Sequence, residues 1–229
     1  RRHQITNHQL MQCFTTDITR LFNIKHPVVQ AGMNVAAGPE LAAAVTNAGG
    51  LGVIGGLNYT PTMLREMISE LKDLLNDKNA PFGVDLLLPK VGEGARKTNY
   101  DYTKGRLDEL IDVIIEEKAK LFVSAVGVPP KYIIDRLHSN GILVMNMVGA
   151  PKHAQKAIDL GVDIICAQGS EGGGHTGDIG TTVLIPAIVD MCKPHNIPVL
   201  AAGGIYDGRG LASALCMGAD GVWVGTRFV

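Results

Sequence analysis

The chain has 229 residues, of which 46% are hydrophobic and 19% charged, and its formal net charge is −1. That is enough apolar material for a sizeable core in one domain, or one and a fraction, and it excludes a disordered chain. A charge near zero, with lysines and arginines scattered, gives no electrostatic case for nucleic acid or an anionic membrane, so the expected partner is a small molecule.

Residues 1–16 have no clear period and read as a tail or a short lid under the fold; the domain proper is expected over 21–229, with 1–20 as the tail. Val28-Val29-Gln30 is a short buried strand that ends at Ala31-Gly32-Met33. Glu40 to Asn47 is Ala-rich and helical, and Ala48-Gly49-Gly50 stops it as a C-terminal glycine does. Leu51 to Ile54 is the second strand. Thr60 is placed to cap a helix from Pro61 to Leu75, with Pro in the first turn, and Phe82 to Leu87 is the third strand. The polar stretch from Lys90 to Lys104 exceeds an ordinary strand-to-helix connection and is expected to be a functional loop.

Leu107, Leu110, Ile111, Ile114 and Ile115 recur at helical spacing in a segment reaching Lys118, and Leu121 to Val126 is the fourth strand. The rhythm continues with helix Pro130 to His138, strand Ile142 to Met147, helix Pro151 to Leu160 and strand Val162 to Ala167. A glycine-rich loop then leads to helix Thr182 to Cys192, strand Pro198 to Ala202, helix Gly208 to Met217 and strand Gly221 to Gly225.

Eight short apolar strands separated by seven helices read as buried on both faces, which implies parallel pairing and right-handed crossovers. The expected fold class is α/β, a closed (β/α)8 TIM barrel. A doubly wound open sheet is disfavoured, because no Gly-x-Gly-x-x-Gly follows the first strand and the glycines cluster after several strands. Nothing after Arg227-Phe228-Val229 supplies an eighth helix or a C-terminal helical part. With Arg1 in place of Met at its start, the chain reads as a fragment. Its four cysteines show no Cys-x-x-Cys spacing, so the expectation is a reducing, cytoplasmic setting with neither disulfides nor a metal site. No apolar run has the length of a membrane span, and the first residues lack the apolar core of a signal peptide.

In such a barrel the loops after the strand ends share one face. Gly203-Gly204, before a helix starting near Asp207, and Gly225-Thr226 on the neighbouring strand form two glycine-backed amide clusters suited to phosphate. Tight turns alone explain either pair, but less well both together. The run Ala167-Gln168-Gly169-Ser170-Glu171-Gly172-Gly173-Gly174-His175-Thr176-Gly177 sets one imidazole among bare backbone, so His175 is the candidate acid or base. His138 and His153 fall in helices, His195 in a loop below the barrel, His26 at the start of the first strand, and His3 and His8 in the tail. Asp85, at a strand end, either binds a ligand hydroxyl, handles a proton or caps its own loop. Asp178 reads as a helix-start residue. A serine hydrolase is disfavoured, since Gly-x-Ser-x-Gly is absent and neither Ser124 nor Ser170 has a base beside it in sequence.

The run from Gln168 to Gly177, together with Ala201-Ala202-Gly203-Gly204-Ile205-x-Asp207-Gly208-Arg209-Gly210 and Gly218-Ala219-Asp220-Gly221-Val222-x-Val224-Gly225-Thr226-Arg227-Phe228, resembles the nitronate monooxygenases, formerly 2-nitropropane dioxygenases. The resemblance extends from about Leu21 to Phe228. It implies a TIM barrel that binds FMN across its strand ends, with an added helical part. Ala31, Gly32, Met33 and Gln168 would lie near the isoalloxazine, and Gly173, Gly203 and Gly204 would line the cofactor. Trp223, Val224, Gly225 and Thr226 would stand beside its phosphate, and Asp85 and Ser124 count among the cofactor contacts. Asp85 occupies a position where the family often has Asn. His175 matches the active-site histidine that removes the α-proton of a nitroalkane or holds the nitronate, with oxygen completing oxidative denitrification to a carbonyl compound and nitrite. A flavin reductase passing hydride from NAD(P)H to a quinone or enoyl thioester uses a similar barrel. A truncated, silent flavin-binding protein is the non-enzymatic alternative.

Overall fold

A computed structural model describes residues 14–88 and 101–229. Most of the expected N-terminal tail, and most of the functional loop expected from Lys90, lie outside the described residues. The strands are β1 (Val28–Gln30), β2 (Gly52–Gly55), β3 (Phe82–Leu87), β4 (Leu121–Val126), β5 (Leu143–Val148), β6 (Ile164–Gln168), β7 (Val199–Ala202) and β8 (Gly221–Val224). Helices α2 (Pro39–Asn47), α3 (Pro61–Leu74), α4 (Leu107–Glu116), α5 (Lys131–His138), α6 (Pro151–Leu160), α7 (Thr181–Cys192) and α8 (Gly208–Cys216) alternate with them. Each lies within a few residues of its expected place. Local chemistry sets the helix boundaries: Thr60 Oγ1 accepts the Met63 N–H at 3.2 Å ahead of Pro61, and α6 stops at Gly161 in the left-handed region.

All strand pairs are parallel, in the order β1-β8-β7-β6-β5-β4-β3-β2. The ring closes where Leu51 N–H donates to Val28 O at 3.1 Å and Gln30 N–H donates to Leu51 O at 2.9 Å. The chain is thus a TIM barrel. Because side chains alternate along each strand, the strands feed two cores. Ile54, Val84, Phe122, Val144, Ile165 and Val222 face the helices, where Ile68, Ile111, Ile134 and Leu184 cover them. Val29, Leu51, Val123, Met145, Ile164 and Trp223 fill the lumen.

One element has no counterpart in the sequence reading. Helix α1 (Asp17–Phe22) begins with a reciprocal cap, in which Thr19 N–H donates to Thr16 Oγ1 and Thr16 N–H to Thr19 Oγ1. Its buried Ile18 and Phe22, followed by Ile24, join the lumen core and floor the barrel at the N-terminal end of the strands. At the other extreme, α8 buries only Ala214, while each of α2 to α7 buries at least three residues, so the outer layer is thinnest there.

Emptying the floor should therefore be costly. Phe22→Ala is expected to lower stability by about 3 kcal/mol or more, the scale for a large aromatic removed from a core. Denaturant unfolding measures this, and a loss below about 1 kcal/mol would show that α1 does not seal the lumen.

Candidate active site

The strand ends converge through residues that lack side chains. Gly32, after β1, lies so close to Asp85 of β3 that a Cβ there would overlap the carboxyl group. Across the mouth, a Cβ on Gly225 would stand 3.4 Å from Met33 Sδ and 3.5 Å from Ala31 Cβ, and one on Gly173 would stand 3.7 Å from Thr226 Oγ1. The loops after β1, β6 and β8 and the end of β3 thus surround one opening.

Within the β6 loop, Gln168 does a different job from the one expected. Its Nε2 donates to Gly173 O at 3.3 Å and to His175 O at 3.1 Å, so the amide donors shape the loop from inside. Ser170 N–H donates to Ile179 O and closes the loop's base. His175 is exposed at its rim, and its imidazole has no hydrogen-bond partner among the described residues. An imidazole in that state is available to a ligand.

Gly203 and Gly204 have φ of 103° and 68°, two successive left-handed residues that only glycine adopts cheaply. The N–H groups of Gly203, Gly204 and Thr226 donate to no partner among the described residues, which leaves donors for an anion. The α8 terminus does not add to them as expected. Asp207 Oδ1 accepts the Arg209 N–H at 2.9 Å, and its carboxylate also holds the Arg209 guanidinium, which keeps Asp207 below the usual carboxylate range. That helix end already carries a negative charge. Arg227 stacks on the Tyr206 ring at 4.9 Å and ties the β7 and β8 loops together.

Asp85 is 2% exposed, and its Oδ1 has no hydrogen-bond partner among the described residues. Burial pushes its pKa well above the carboxylate norm, which favours the protonated acid. The loop that it is expected to cap lies mostly outside the described residues. The titratable group coupled to it is the buried Cys166 thiol, itself pushed up by burial and then by Asp85.

Strand alternation sends three expected cofactor residues elsewhere. Ser124 shares the outward face of β4 with Phe122, and its hydroxyl lies 3.2 Å from Gly127 O and 3.4 Å from Val126 O. Trp223 packs into the lumen, and Val224 into the outer core; Val224 O accepts the Ala31 N–H at 2.8 Å. The Ser124 and Val224 side chains thus face the helices, while Trp223 is buried in the lumen. Glu171 and Thr181, which the sequence reading passed over, hydrogen-bond to each other beside Gly203. A cavity of about 630 Å³ opens at the opposite end of the barrel, among Phe22, Lys25, Gly49, Pro81 and Lys120, away from these groups. Among the described residues no His, Cys, Asp and Glu cluster could hold a metal ion, and no helix is long and apolar enough to cross a membrane.

Comparison with known proteins adds a family. The profile described as nitronate monooxygenase matches residues 15–229. A relative from Rhodococcus jostii (strain RHA1), named (3aS,4S,5R,7aS)-5-hydroxy-7a-methyl-1-oxo-octahydro-1H-indene-4-carboxyl-CoA dehydrogenase, is 42% identical over 96% of this chain and 56% of its own length. The structure of FabK from Thermotoga maritima is similar with a TM-score of 0.79 and 40% identity, covering 94% of this chain and 63% of that one. A nitroalkane oxidase structure from Streptomyces ansochromogenes has a TM-score of 0.80 and 30% identity, over 92% of this chain and 67% of that one. The chain spans little more than half the length of the Rhodococcus relative.

The buried acid makes a prediction about stability. With its pKa raised on folding, native Asp85 keeps a proton that the unfolded chain releases above the ordinary value of 3.8, so stability falls as pH rises through that window. Melting curves from about pH 5 to about pH 8 should show wild type losing ground to Asp85→Asn as pH rises. A gap independent of pH would mean that Asp85 is not held neutral.

Proposed function

Because this chain belongs to the nitronate monooxygenase family, we propose that it is a flavin-dependent oxidoreductase that uses FMN and molecular oxygen to convert nitronates or nitroalkanes into a carbonyl compound and nitrite. The observation that carries this reading is an exposed His175, without a hydrogen-bond partner among the described residues, at the rim of a glycine-lined opening whose neighbouring loops carry amide donors that are unused among those residues. The residues present fit FMN. The Gly203, Gly204 and Thr226 N–H groups and the Thr226 hydroxyl would hold its phosphate, and the bare backbone at Gly32 and Gly173 would admit a flat ring. Asp85, a buried carboxyl whose Oδ1 has no hydrogen-bond partner among the described residues, would find in a polar atom of the cofactor a partner that the apolar lumen does not offer. FMN would supply the electron-transfer chemistry that no side chain in this opening supplies.

The protein's part is proton and anion handling. A neutral His175 ring nitrogen would accept the proton from the carbon next to the nitro group, and the resulting imidazolium would hold the nitronate anion.

A second reading has a specific observation behind it, the 42% identity to a protein named as a carboxyl-CoA dehydrogenase. The carbon next to a thioester carbonyl is also acidic, and the same imidazole would take its proton. In that reading a bound flavin would supply hydride chemistry toward a nicotinamide, without oxygen, and His175 would keep its role at the carbon next to the thioester carbonyl.

Purified protein is expected to be yellow, to release FMN on denaturation and to form nitrite from a nitronate in air. Rapid anaerobic bleaching by NADH without any turnover of nitronate would overturn this in favour of the second reading. His175→Ala should retain the flavin and lose more than about a hundredfold in turnover, the scale of a lost acid or base, and unchanged kinetics would remove His175 from the mechanism. Gly204→Leu should instead lose the flavin, because a side chain there would press on Glu171 and strain the left-handed turn that presents the amide donors; full occupancy would refute that placement.

A further inference from the structure

The loops after β6 and β7 meet at Thr181, the first residue of α7. Its N–H lies 3.0 Å and 2.9 Å from the two carboxylate oxygens of Glu171, and its hydroxyl donates to Glu171 Oε2 at 2.6 Å. The same Oγ1 is 3.1 Å from Gly203 O. A hydroxyl carries one proton, so the shorter contact takes it and the carbonyl is the second, longer acceptor. Thr181 is 8% exposed.

The packing agrees. A Cβ on Gly169 would stand 2.6 Å from Thr181 Cα, and one on Gly203 would stand 3.0 Å from both Thr181 Oγ1 and Gly169 O. A Cβ on Gly204 would stand 3.2 Å from Glu171 Cβ. The residue preceding α7, Gly180, has no side chain with which to cap the helix. The cap comes from Glu171, ten residues earlier and inside the His175 loop. The Thr181 hydroxyl, in turn, holds the Glu171 carboxyl below the usual range.

We propose that Glu171 and Thr181 are positioning residues, a clamp that fixes the His175 loop against Gly203-Gly204 and so couples the proton-handling side of the site to its phosphate side. The clamp depends on contacts within the chain; its role in the reaction rests on the FMN reading above. Thr181→Val removes the hydroxyl and keeps the shape, Thr181→Ser keeps the hydroxyl, and Glu171→Gln removes the charge.

Two measurements separate the clamp from the cofactor assignment. In FMN-free protein, hydrogen exchange at the Thr181 amide and across residues 169–177 should speed up in Thr181→Val and Glu171→Gln, and return close to wild type in Thr181→Ser. Unchanged exchange in folded Thr181→Val overturns the clamp whether or not FMN binds. In FMN-loaded protein, the same two variants should release FMN about tenfold faster, the scale of one lost charge-assisted hydrogen bond. Their kcat should fall more than KM changes, with Thr181→Ser again near wild type. Wild-type release rates in both variants overturn the coupling. A wild-type protein that takes up no FMN overturns the cofactor reading instead, and the exchange data still decide the clamp.

Discussion

The bridge between Val29 and Leu51 turns a twisted row of parallel strands into a ring. An open sheet of the same strands would spread its C-terminal ends along an edge nearly as long as the sheet is wide. Closure brings those ends onto a single rim, so that residues from β1, β3, β6, β7 and β8 can surround one ligand. It also creates a lumen with two unlike ends. The lower end is apolar and filled, with Ile18 and Phe22 of α1 beneath Leu51, Met145 and Ile164. The upper end has Asp85 and glycine backbone.

That gradient explains why so much of the site is made by what side chains leave out. The rim is crowded: loops approach one another to within ordinary contact distance even at glycine positions. Gly32, Gly203 and Gly204 let the backbone pack against Asp85, Thr181 and Glu171, where a Cβ would intrude. A rim made largely of backbone is deformable, and hydrogen bonds from a few side chains restore its shape. Gln168 turns its amide into its own loop, Glu171 reaches to α7, and Arg227 lies across Tyr206. These residues face inward or toward one another, whereas the His175 imidazole is exposed at the rim and Asp85 is buried in the lumen.

The barrel was readable from sequence because strand burial, proline at helix starts and glycine at helix ends act over a few residues each. Helix α1 was not. Six residues are too few to show a period, and Ile18 and Phe22 look unremarkable until a lumen exists to receive them. Motif position also says that a residue is near the rim without saying which way it points. One step along a strand reverses direction, and so Ser124 and Val224 face the helices while Trp223 enters the lumen. Asp207 shows another limit, since a helix start that looks open to phosphate is occupied by its own carboxylate. The Glu171–Thr181 pair lies across ten residues rich in glycine, where no local rule connects a carboxylate to a distant helix end.

The order in which the ribosome delivers this chain is nearly the reverse of what its closure requires. Val28 and Gln30 pair with Val222 and Val224, so β1, made early, waits for β8. Until then the apolar face of α1 has no lumen to enter, and β1 has an unpaired edge. A nascent barrel therefore carries Ile18, Phe22 and Val29 exposed until β8 emerges. Docking of β8 on β1 is the step that withdraws this apolar surface from aggregation, and the need for a chaperone is greatest before it.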